Sequence, residues 1–459
     1  MVEGRAYRPV IRSERCQTCS VCIRGCPAEL IPEYRKEKES LRAALYGGKM
    51  ADRPKNKVPL PPCQEACPIG QDARGYVSLI GKGKFREALE IIREVNPLPA
   101  VCGFICHHPC EEACLREGVD QPVPIRRLKR FVAEYERSGG KIPIKKSKKR
   151  REKVLVVGSG PAGLAAANDL SLLGFRVTIF EALPVLGGML RVGIPEFRLP
   201  RDVLQMEIEG IAALGVEMDV NHRFQFDGNG KTLQKLGFQA AFLSIGAHRS
   251  VKMDIPGERL EGVLPGVELL RDINLGRRTK IGRKVAVIGG GNVALDVARS
   301  AIRLGSKEVE IYYRRSKGEM PAIPEEVEET IREGIRIHFL VSPRKIIGRG
   351  RRAIGMECIR MRLGEPDGTG RRRPVPIVGS GFRIEADTIL AAIGQKVDRV
   401  ASKGLDTHPN GTVRVHPETG ETSIKGVYAG GDAVTGPGWA IDAVAAGKKG
   451  ARSIHEYLS

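Results

Sequence analysis

The apolar positions of this chain fall into short blocks that predict strands alternating with helices. Residues 154–157 and 285–288 are apolar runs of strand length, and each is followed by a glycine-rich turn and a helical pattern. Earlier in the chain, Phe85-Arg-Glu-Ala-Leu-Glu-Ile-Ile-Arg-Glu has the periodicity of an amphipathic helix that ends at Asn96-Pro97. A helical N-terminal part is therefore predicted to precede an α/β part.

The two glycine-rich turns predict two dinucleotide-binding sites. A strand that ends at a helix N-terminus presents unpaired N–H groups and a positive dipole end, which suit a pyrophosphate. The first glycine allows the tight turn, the second lets the backbone approach phosphate, and the third lets the helix pack on the strand. The predicted binding residues are Gly158, Gly160, Pro161, Ala162 and Gly163 at the first turn and Gly289, Gly291, Asn292, Val293 and Ala294 at the second.

The strand that follows each turn ends differently, and this separates the two sites. Arg176-Val-Thr-Ile-Phe ends at Glu181, about 20 residues past its turn, where a carboxylate reaches a ribose hydroxyl. The equivalent strand after the second turn ends at Arg314 and Arg315, which suit a 2′-phosphate that a carboxylate would repel. The first site is predicted to bind FAD or NAD, and the second favours NADP over NAD. The alternative at each position is a solvated strand terminus.

Length and composition indicate the number of domains and the location of the protein. A chain of 459 residues is long enough for about three domains. No run approaches the roughly 18 apolar residues needed to cross a membrane, and the first residues lack the apolar stretch of a secretory signal. We therefore expect a soluble, cytoplasmic protein without membrane insertion.

A chain with a net charge of +21 could bind nucleic acid or an acidic protein. Part of the excess lies in a predicted interdomain linker at 145–153, and arginines at 349–352 and 371–373 are typical of hairpin tips. The chain has one Trp and no recognisable nucleic-acid-binding motif, so nucleic acid is not expected as a partner. A surface that steers an acidic electron-transfer protein is the better interpretation.

Ten of the eleven cysteines lie before residue 115. The first four form Cys16-x2-Cys19-x2-Cys22-x3-Cys26-Pro, the spacing of bacterial ferredoxins. Zinc prefers paired Cys-x2-Cys knuckles, and disulfides do not suit a reducing cytosol, so iron–sulfur clusters are predicted. Six further cysteines follow the spacing Cys63-x3-Cys67 and Cys102-x3-Cys106-x3-Cys110-x3-Cys114.

Several of these motifs together resemble a known family. The segments Cys63-Gln-Glu-Ala-Cys67-Pro and Cys110-Glu-Glu-Ala-Cys114 are similar to the N-terminal domain of the glutamate synthase small subunit. Dihydropyrimidine dehydrogenase and NADPH-linked ferredoxin and sulfide oxidoreductases share that domain. Leu186-Gly-Gly-Met-Leu-Arg-Val-Gly193-Ile-Pro-Glu-Phe-Arg198, Tyr313-Arg-Arg-Ser-Lys-Gly-Glu-Met320 and Gly426-Val-Tyr-Ala-Gly-Gly-Asp432 also match this family, in the same order.

The resemblance implies an α/β fold of two Rossmann-like domains, with the NAD(P) domain inserted in the FAD domain. A helical iron–sulfur domain with at least two 4Fe–4S clusters and a ferredoxin-like cysteine loop would precede them. The predicted boundaries are 1–48 for the loop, 49–144 for the helical domain, 154–255 and 385–459 for the FAD domain, and 256–384 for the NAD(P) domain. Hydride transfer between stacked rings needs no acid or base, so no catalytic residue is predicted.

The resemblance also assigns site residues. The FAD residues it adds to the first turn and Glu181 are Gly188, Met189, Leu190, Arg191, Ile194, Arg198, Gly246, Gly431, Asp432 and Ala440. The predicted cluster ligands are Cys16, Cys19, Cys22, Cys26, Cys63, Cys67, Cys106, Cys110 and Cys114. Cys102 and Cys358 are interpreted as small buried apolar residues.

One departure from the family concerns the cluster ligands. The family carries two more cysteines just before the segment of Cys63, and this chain has none at 52–60. Cys63 and Cys114 therefore lack their family partners, and the cluster of Cys67, Cys106 and Cys110 also lacks its expected fourth ligand near 128–131. The cysteines of the N-terminal loop either complete these clusters or hold a further one.

Two functions remain open at this point. The chain is either an electron-transfer subunit of a larger redox complex, which we favour, or a stand-alone NAD(P)H:ferredoxin oxidoreductase. The sequence contains no recognisable motif for a substrate pocket beyond the nicotinamide site. The N-terminal cysteine loop favours the subunit, because it extends the electron path toward something outside the chain.

Overall fold

The computed structural model describes residues 60–139, 147–228, 230–398 and 403–459. The predicted cysteine loop, with Cys16, Cys19, Cys22 and Cys26, lies outside the described residues. The described residues form two compact units. One comprises residues 60–103 and 108–139, and the other comprises 104–107 and 147–459.

The first unit is helical, as the sequence predicts. Its helices are α1 (Pro62–Glu65), α2 (Ala73–Gly81), α3 (Phe85–Arg93), α4 (Pro99–Ile105, with its last two residues in the second unit), α5 (Pro109–Glu112) and α6 (Ile125–Gly139). Helix α3 buries Ala88, Leu89 and Ile92, which share one face because they are spaced at i, i+1 and i+4. The fully buried Tyr76 donates its hydroxyl to the carbonyl of Ile125 at 3.0 Å. This bond ties α2 to the start of α6.

The second unit contains the α/β part. Its strands are β1 (Lys153–Val157), β2 (Arg176–Phe180), β3 (Glu217–Asp219), β4 (Ala240–Leu243), β5 (Arg249–Ser250), β6 (Val263–Pro265), β7 (Lys284–Ile288), β8 (Glu308–Tyr313), β9 (Arg336–Phe339), β10 (Val341–Arg349), β11 (Arg352–Pro366), β12 (Arg372–Glu385), β13 (Thr388–Ala391), β14 (Gln395–Lys396) and β15 (Val427–Ala429). Its helices are α7 (Pro161–Leu172), α8 (Met189–Val192), α9 (Arg201–Ala212), α10 (Lys231–Lys235), α11 (Gly266–Asn274), α12 (Asn292–Arg303), α13 (Pro324–Arg332), α14 (Asp432–Thr435) and α15 (Ala440–Leu458).

Two parallel five-stranded sheets organise this unit. The first has the order β15-β4-β1-β2-β3, and the second has the order β6-β13-β7-β8-β9. Their central strands are apolar on both faces, as expected for parallel sheets covered by helices. Strands β6 to β13 lie between β4 and β15 in sequence, which confirms that the second Rossmann-like domain is inserted in the first.

The predicted boundary at 385 is wrong. Strand β13 pairs with β7, with Ile389 opposite Ala286, so the chain stays in the inserted domain through Ala391. The return is marked by a two-stranded antiparallel ribbon in which Gln395 of β14 pairs with Ser250 of β5. A local sequence pattern cannot place this boundary, because β13 joins the inserted sheet by long-range pairing.

A three-stranded antiparallel sheet, β10-β11-β12, completes the inserted domain. Its β10–β11 and β11–β12 turns lie at the arginine runs of 349–352 and 371–373, which confirms that these are hairpin tips. One face packs on a core that includes Met356 and Cys358, both fully buried. In the described part of the chain, no helix combines the length and apolar character needed to cross a membrane.

Candidate functional site

A cavity of about 970 Å³ contains both glycine-rich turns. Each turn follows the strand that lies at the centre of its sheet, β1 in the first and β7 in the second. In open parallel sheets, ligands bind outside the carboxyl ends of the strands, where the strand order reverses. The two predicted dinucleotide sites therefore open into one cavity.

The first turn leaves room for a pyrophosphate. A Cβ atom added at Gly163 would lie 1.9 Å from the carbonyl oxygen of Gly158, so the helix packs directly on the turn. A Cβ atom added at Gly160 would meet no protein atom within 4 Å, although Gly160 lines the cavity. Gly160 is also the N-cap of α7, whose first N–H groups are free of intrahelical partners. The space beside Gly160 fits the pyrophosphate of FAD.

Most residues predicted for FAD do line the cavity. They are Gly158, Gly160, Pro161, Ala162, Glu181, Gly188, Met189, Leu190, Ile194, Arg198, Gly246, Gly431, Asp432 and Ala440. Gly163 and Arg191 are not among the lining residues. Gly163 instead has the packing role that the third glycine of such a turn plays.

Glu181 is held in place by the first turn. Its Oε2 accepts hydrogen bonds from the backbone N–H (2.9 Å) and the hydroxyl (2.5 Å) of Ser159, and its Oε1 accepts one from the backbone N–H of Leu183 (2.8 Å). Glu181 is 5% exposed and follows β2 directly. A carboxylate accepts about four hydrogen bonds. Glu181 therefore has capacity left for a ribose hydroxyl of FAD.

The Gly-Gly-Asp turn lies on another side of the same cavity. Burial raises the pKa of Asp432 to about 6, and the nearby Asp442 adds to this, while the backbone N–H of Gly438, 3.2 Å away, acts against it. Helix α15 starts at Ala440 with Trp439 as its N-cap, and both residues line the cavity. The 19 residues of α15 direct a positive dipole end toward the space for the flavin.

The second turn has the same design. A Cβ atom added at Gly289 would lie 2.2 Å from the carbonyl oxygen of Ala392, whereas one added at Gly291 would meet only Pro321, at 3.9 Å. Gly289, Gly291, Asn292 and Val293 line the cavity, and Ala294 is fully buried against the strand. The amide oxygen of Asn292 accepts the backbone N–H of Ile323 at 3.1 Å. The space beside Gly291 fits a second pyrophosphate.

The structure gives Arg314 and Arg315 different surroundings. Arg314 and Arg315 both line the cavity, but Arg314 is exposed and Arg315 is only 5% exposed. The Nη2 atom of Arg315 lies 2.6 Å from Oδ2 of Asp367, and its Nε donates to the carbonyl of Arg372 at 2.9 Å. The two arginines are therefore not an equivalent pair, because Arg315 already has an anionic partner within the protein.

Arg198 lines the cavity and also joins the two Rossmann-like domains. Its Nη1 lies 2.7 Å from Oδ2 of Asp296 on α12, and its Nε lies 3.1 Å from Oε1 of Glu326 on α13. Burial raises the pKa of Asp296 to about 6 against the opposing charge of Arg198. The neighbouring Phe197 ring lies under two guanidiniums of α12, with the Arg303 carbon 3.9 Å from the ring centroid.

Sequence reasoning did not assign Asp296, His248 or Trp439 to the site, although all three line the cavity. Burial lowers the pKa of His248, which favours the neutral imidazole. The ring of Trp439 stacks on that of His107, with 4.4 Å between the centroids. None of the three belongs to a phosphate-binding pattern, so the sequence carries no local signal for them.

Six of the described cysteines lie between Cys63 and Cys114, and the seventh, Cys358, is buried in β11. Cys63, Cys67 and Cys114 are half-buried, Cys102, Cys106 and Cys110 are buried, and none forms a disulfide. Burial raises the pKa of the Cys63 thiol, and the proximity of Cys114 adds to the shift. Within residues 60–139, 147–228, 230–398 and 403–459, no three His, Cys, Asp or Glu side chains are grouped closely enough to hold a metal ion.

Two Rossmann-like domains that share one cavity, one inserted in the other, define a flavin-dependent oxidoreductase that uses a nicotinamide coenzyme. Residues 152–447 match the pyridine nucleotide-disulphide oxidoreductase family, and the chain belongs to that family. Residues 50–141 match the family described as dihydropyrimidine dehydrogenase domain II, 4Fe-4S cluster. The chain therefore combines a unit of the pyridine nucleotide-disulphide oxidoreductase family with a 4Fe–4S domain.

Named relatives match most of the chain. The beta subunit of NADP(+)-dependent formate dehydrogenase from Moorella thermoacetica is 45% identical over 423 residues, which are 86% of this chain and 60% of that protein. The beta subunit of NADPH-Fe(3+) oxidoreductase from Geobacter sulfurreducens is 41% identical, over 86% of this chain and 63% of its own length. The small chain of glutamate synthase [NADPH] from Escherichia coli is 30% identical, over 87% and 89%.

Solved structures agree on the fold. FprA from Mycobacterium tuberculosis in complex with NADPH superposes with a TM-score of 0.57 and 21% sequence identity, over 67% of this chain and 85% of that one. At this identity the likeness concerns the fold alone. It supports the α/β fold of the second unit.

Proposed function

We propose that this protein transfers electrons between NADPH and iron–sulfur clusters by way of FAD, as a subunit of a larger redox complex. The observation that carries the proposal is the single cavity into which both glycine-rich turns open. Because both dinucleotides would extend into the same space, their reactive rings would meet there, as hydride transfer requires.

The residues of the chain bind and orient rather than react. The N–H groups at the starts of α7 and α12 would hold the two pyrophosphates, and Glu181 would fix a ribose of FAD. The N-terminus of α15, next to Asp432, would stabilise negative charge on the pyrimidine side of the flavin. FAD, when bound, accepts a hydride and releases single electrons. No acid or base is needed at the point of hydride transfer.

The relatives support a role as a subunit. Two of them, from Moorella and Geobacter, are named as beta subunits of NADP-linked redox complexes. This chain spans 60% and 63% of those proteins, so it corresponds to part of each. We propose a catalytic redox subunit as the partner, with ferredoxin as the alternative acceptor.

The proposal is tested on protein purified without oxygen from its native source. We expect NADPH to bleach the bound flavin rapidly in a stopped-flow experiment, and NADH to do so much more slowly. Native mass spectrometry should then find the chain in a stable heteromer. A monomer that reduces ferredoxin with NADPH would favour the stand-alone oxidoreductase instead. If neither NADPH nor NADH reduced the flavin, both proposed functions would be contradicted.

We also predict at least two 4Fe–4S clusters per chain. The expected iron content is about eight atoms per chain or more, measured together with acid-labile sulfide. Cys63→Ala should lower the iron content, whereas Cys102→Ala is the matched control. Cys102 is 1% exposed and is predicted to be a packing residue, so its loss should leave the iron unchanged. About four iron atoms or fewer in the wild type would contradict the prediction.

A chain that begins at Lys49 tests the cysteines of the N-terminal loop. If Cys16, Cys19, Cys22 and Cys26 complete the inherited clusters, this truncation should strip iron and lower the melting temperature, because ligand binding is coupled to folding. If they hold a separate cluster, iron should fall while NADPH still reduces the flavin and the native acceptor is no longer reduced. Unchanged iron and full activity would show that the loop holds no cluster.

A further inference from the structure

A hairpin that is distant in sequence brings a further arginine to the cavity that Arg314 lines. The tip of the β11–β12 hairpin reads Asp367-Gly-Thr-Gly-Arg371, and Arg371 lines the cavity together with Arg314 and Arg315. Arg371 is 57 positions beyond Arg314 in the sequence, so local motifs do not connect the two. Arg314 follows β8, where Rossmann-like folds recognise the ribose of the coenzyme. The adjacent Arg315 donates its Nε–H to the carbonyl of Arg372, the residue after Arg371, so the hairpin tip lies at this strand end.

Asp367 organises the hairpin tip through several hydrogen bonds. The backbone N–H of Asp367 donates to the carbonyl of Arg371 at 2.8 Å, and the N–H of Gly370 donates to the carbonyl of Asp367 at 2.9 Å. Oδ1 of Asp367 accepts from the backbone N–H (2.8 Å) and the hydroxyl (2.5 Å) of Thr369. The same hydroxyl accepts the Nε–H of Arg371 at 3.1 Å, which orients the guanidinium.

Arg315 fastens this tip to the nucleotide-binding strand. Its Nη2 pairs with the second oxygen of Asp367 at 2.6 Å, and its Nε donates to the carbonyl of Arg372 at 2.9 Å. The side chain of Arg315 is 7% exposed, and the Asp367 side chain is 22% exposed. A partly buried, doubly anchored arginine holds its partner in one place more firmly than an exposed pair would.

We propose that Arg314 and Arg371 bind the ribose 2′-phosphate of NADP(H), and that Arg315 is a positioning residue that sets Arg371 by holding the hairpin tip. The assignment rests on the proposed function only for its choice of NADP(H) as coenzyme. Two guanidiniums from separate elements can donate hydrogen bonds to a phosphate from two directions. NAD(H) has no phosphate at this position.

The decisive experiment measures binding to the FAD-loaded full chain by isothermal titration calorimetry. The ligands are NADP⁺ and NAD⁺, with 2′,5′-ADP and 5′-AMP as a second pair that differs only in the 2′-phosphate. We expect Arg371→Ala to weaken NADP⁺ and 2′,5′-ADP about tenfold or more and to leave NAD⁺ and 5′-AMP within about twofold. Arg371→Lys should keep part of the preference, because it keeps the charge without the planar fork.

Arg373→Ala is the matched control. Arg373 lies two positions from Arg371 on the same hairpin, is exposed and is not among the lining residues of the cavity. The control removes the same charge from the same surface. Equal losses in Arg371→Ala and Arg373→Ala would overturn the assignment, because they would show a general charge effect. Flavin content and melting temperature, compared with the wild type, verify that each variant is folded.

The role of Arg315 is tested by asking whether the losses of NADP⁺ affinity in Arg315→Ala and Arg371→Ala add in the double variant. If Arg315 acts only by placing Arg371, then adding Arg315→Ala to Arg371→Ala should cause little further loss of NADP⁺ affinity. If Arg315 itself touched the phosphate, the two losses would add, and this outcome would overturn its role as a positioning residue.

Failure of this inference can be told apart from failure of the proposed function. A wild type that binds NADP⁺ tightly while Arg371→Ala does the same would overturn the assignment of Arg371 alone. A wild type that binds NADP⁺ no better than NAD⁺ would overturn the proposed coenzyme, and the phosphate site with it.

Discussion

The variant Gly160→Val should fold normally and hold no FAD. The backbone at Gly160 has φ −66° and ψ 178°, which any residue adopts, and a Cβ atom there would meet no protein atom within 4 Å. The valine side chain would instead fill the space in which the pyrophosphate meets the N–H groups of α7. Loss of two charge-assisted hydrogen bonds of about 1.5–3 kcal/mol each weakens binding roughly a hundredfold or more.

The measurement is the ratio of flavin to protein after gel filtration, with circular dichroism to verify folding. Gly210→Val on α9 is the matched control, because Gly210 is exposed, lies away from the cavity and also has no atom within 4 Å of an added Cβ. Gly163→Val should fail differently, by disrupting the fold, since its Cβ would lie 1.9 Å from the carbonyl oxygen of Gly158. Full flavin occupancy in folded Gly160→Val would contradict the assignment of the first turn to FAD.

The second large effect is expected for Arg198→Leu. The side chains of Arg198 and Asp296 are 8% and 5% exposed, so this change leaves a buried carboxylate without its main partner. Breaking such a pair from one side costs about 3–5 kcal/mol in the free energy of unfolding. We expect this loss at pH 8, measured by urea unfolding of the FAD-loaded protein.

The loss should shrink as the pH is lowered toward 5. Burial already raises the pKa of Asp296 to about 6 in the wild type, above the value of about 3.9 in an unfolded chain. Without Arg198 that pKa rises further, so folded Arg198→Leu binds a proton where the wild type has lost it. The variant therefore recovers stability relative to the wild type as the pH falls through this range.

Two further variants separate charge from packing at this position. Arg198→Lys keeps the positive charge and should lose less than Arg198→Leu. Adding Asp296→Asn to Arg198→Leu removes the unpaired carboxylate and should restore part of the stability, with no dependence on pH from this pair. A loss under about 1 kcal/mol at pH 8, or one that does not change with pH, would mean that the pair behaves like an exposed one.

The sequence predicted the parts of this protein that local patterns determine. The strands at 153–157 and 284–288, the amphipathic helix that starts at Phe85 and the hairpin tips at the arginine runs all agree with the structure. Each depends on residues within a few positions of one another. The glycine positions of both turns follow for the same reason, because backbone geometry within one turn sets them.

The pairings between distant residues were not predictable in this way. Arg198 and Asp296 are 98 positions apart, and Arg315 and Asp367 are 52 apart. A single sequence shows that arginines follow β8, but it does not show that one of them is already paired with an aspartate from a later hairpin. The boundary after Ala391 was misplaced for the same reason, since pairing of β13 with β7 spans about a hundred residues.

The ribbon of β5 and β14 places the two chain connections of the coenzyme domain side by side. The chain leaves the flavin domain beside Ser250 and returns beside Gln395, and these two residues are paired across the ribbon. Everything between them begins and ends at one place, so its length can change without moving any strand of the first sheet. Exchange of this module between related enzymes would require that the recipient keep two adjacent strand ends and an arginine that pairs with Asp296 and Glu326 of the module, as Arg198 does here. Coenzyme choice can thus be inherited separately from the flavin site it serves.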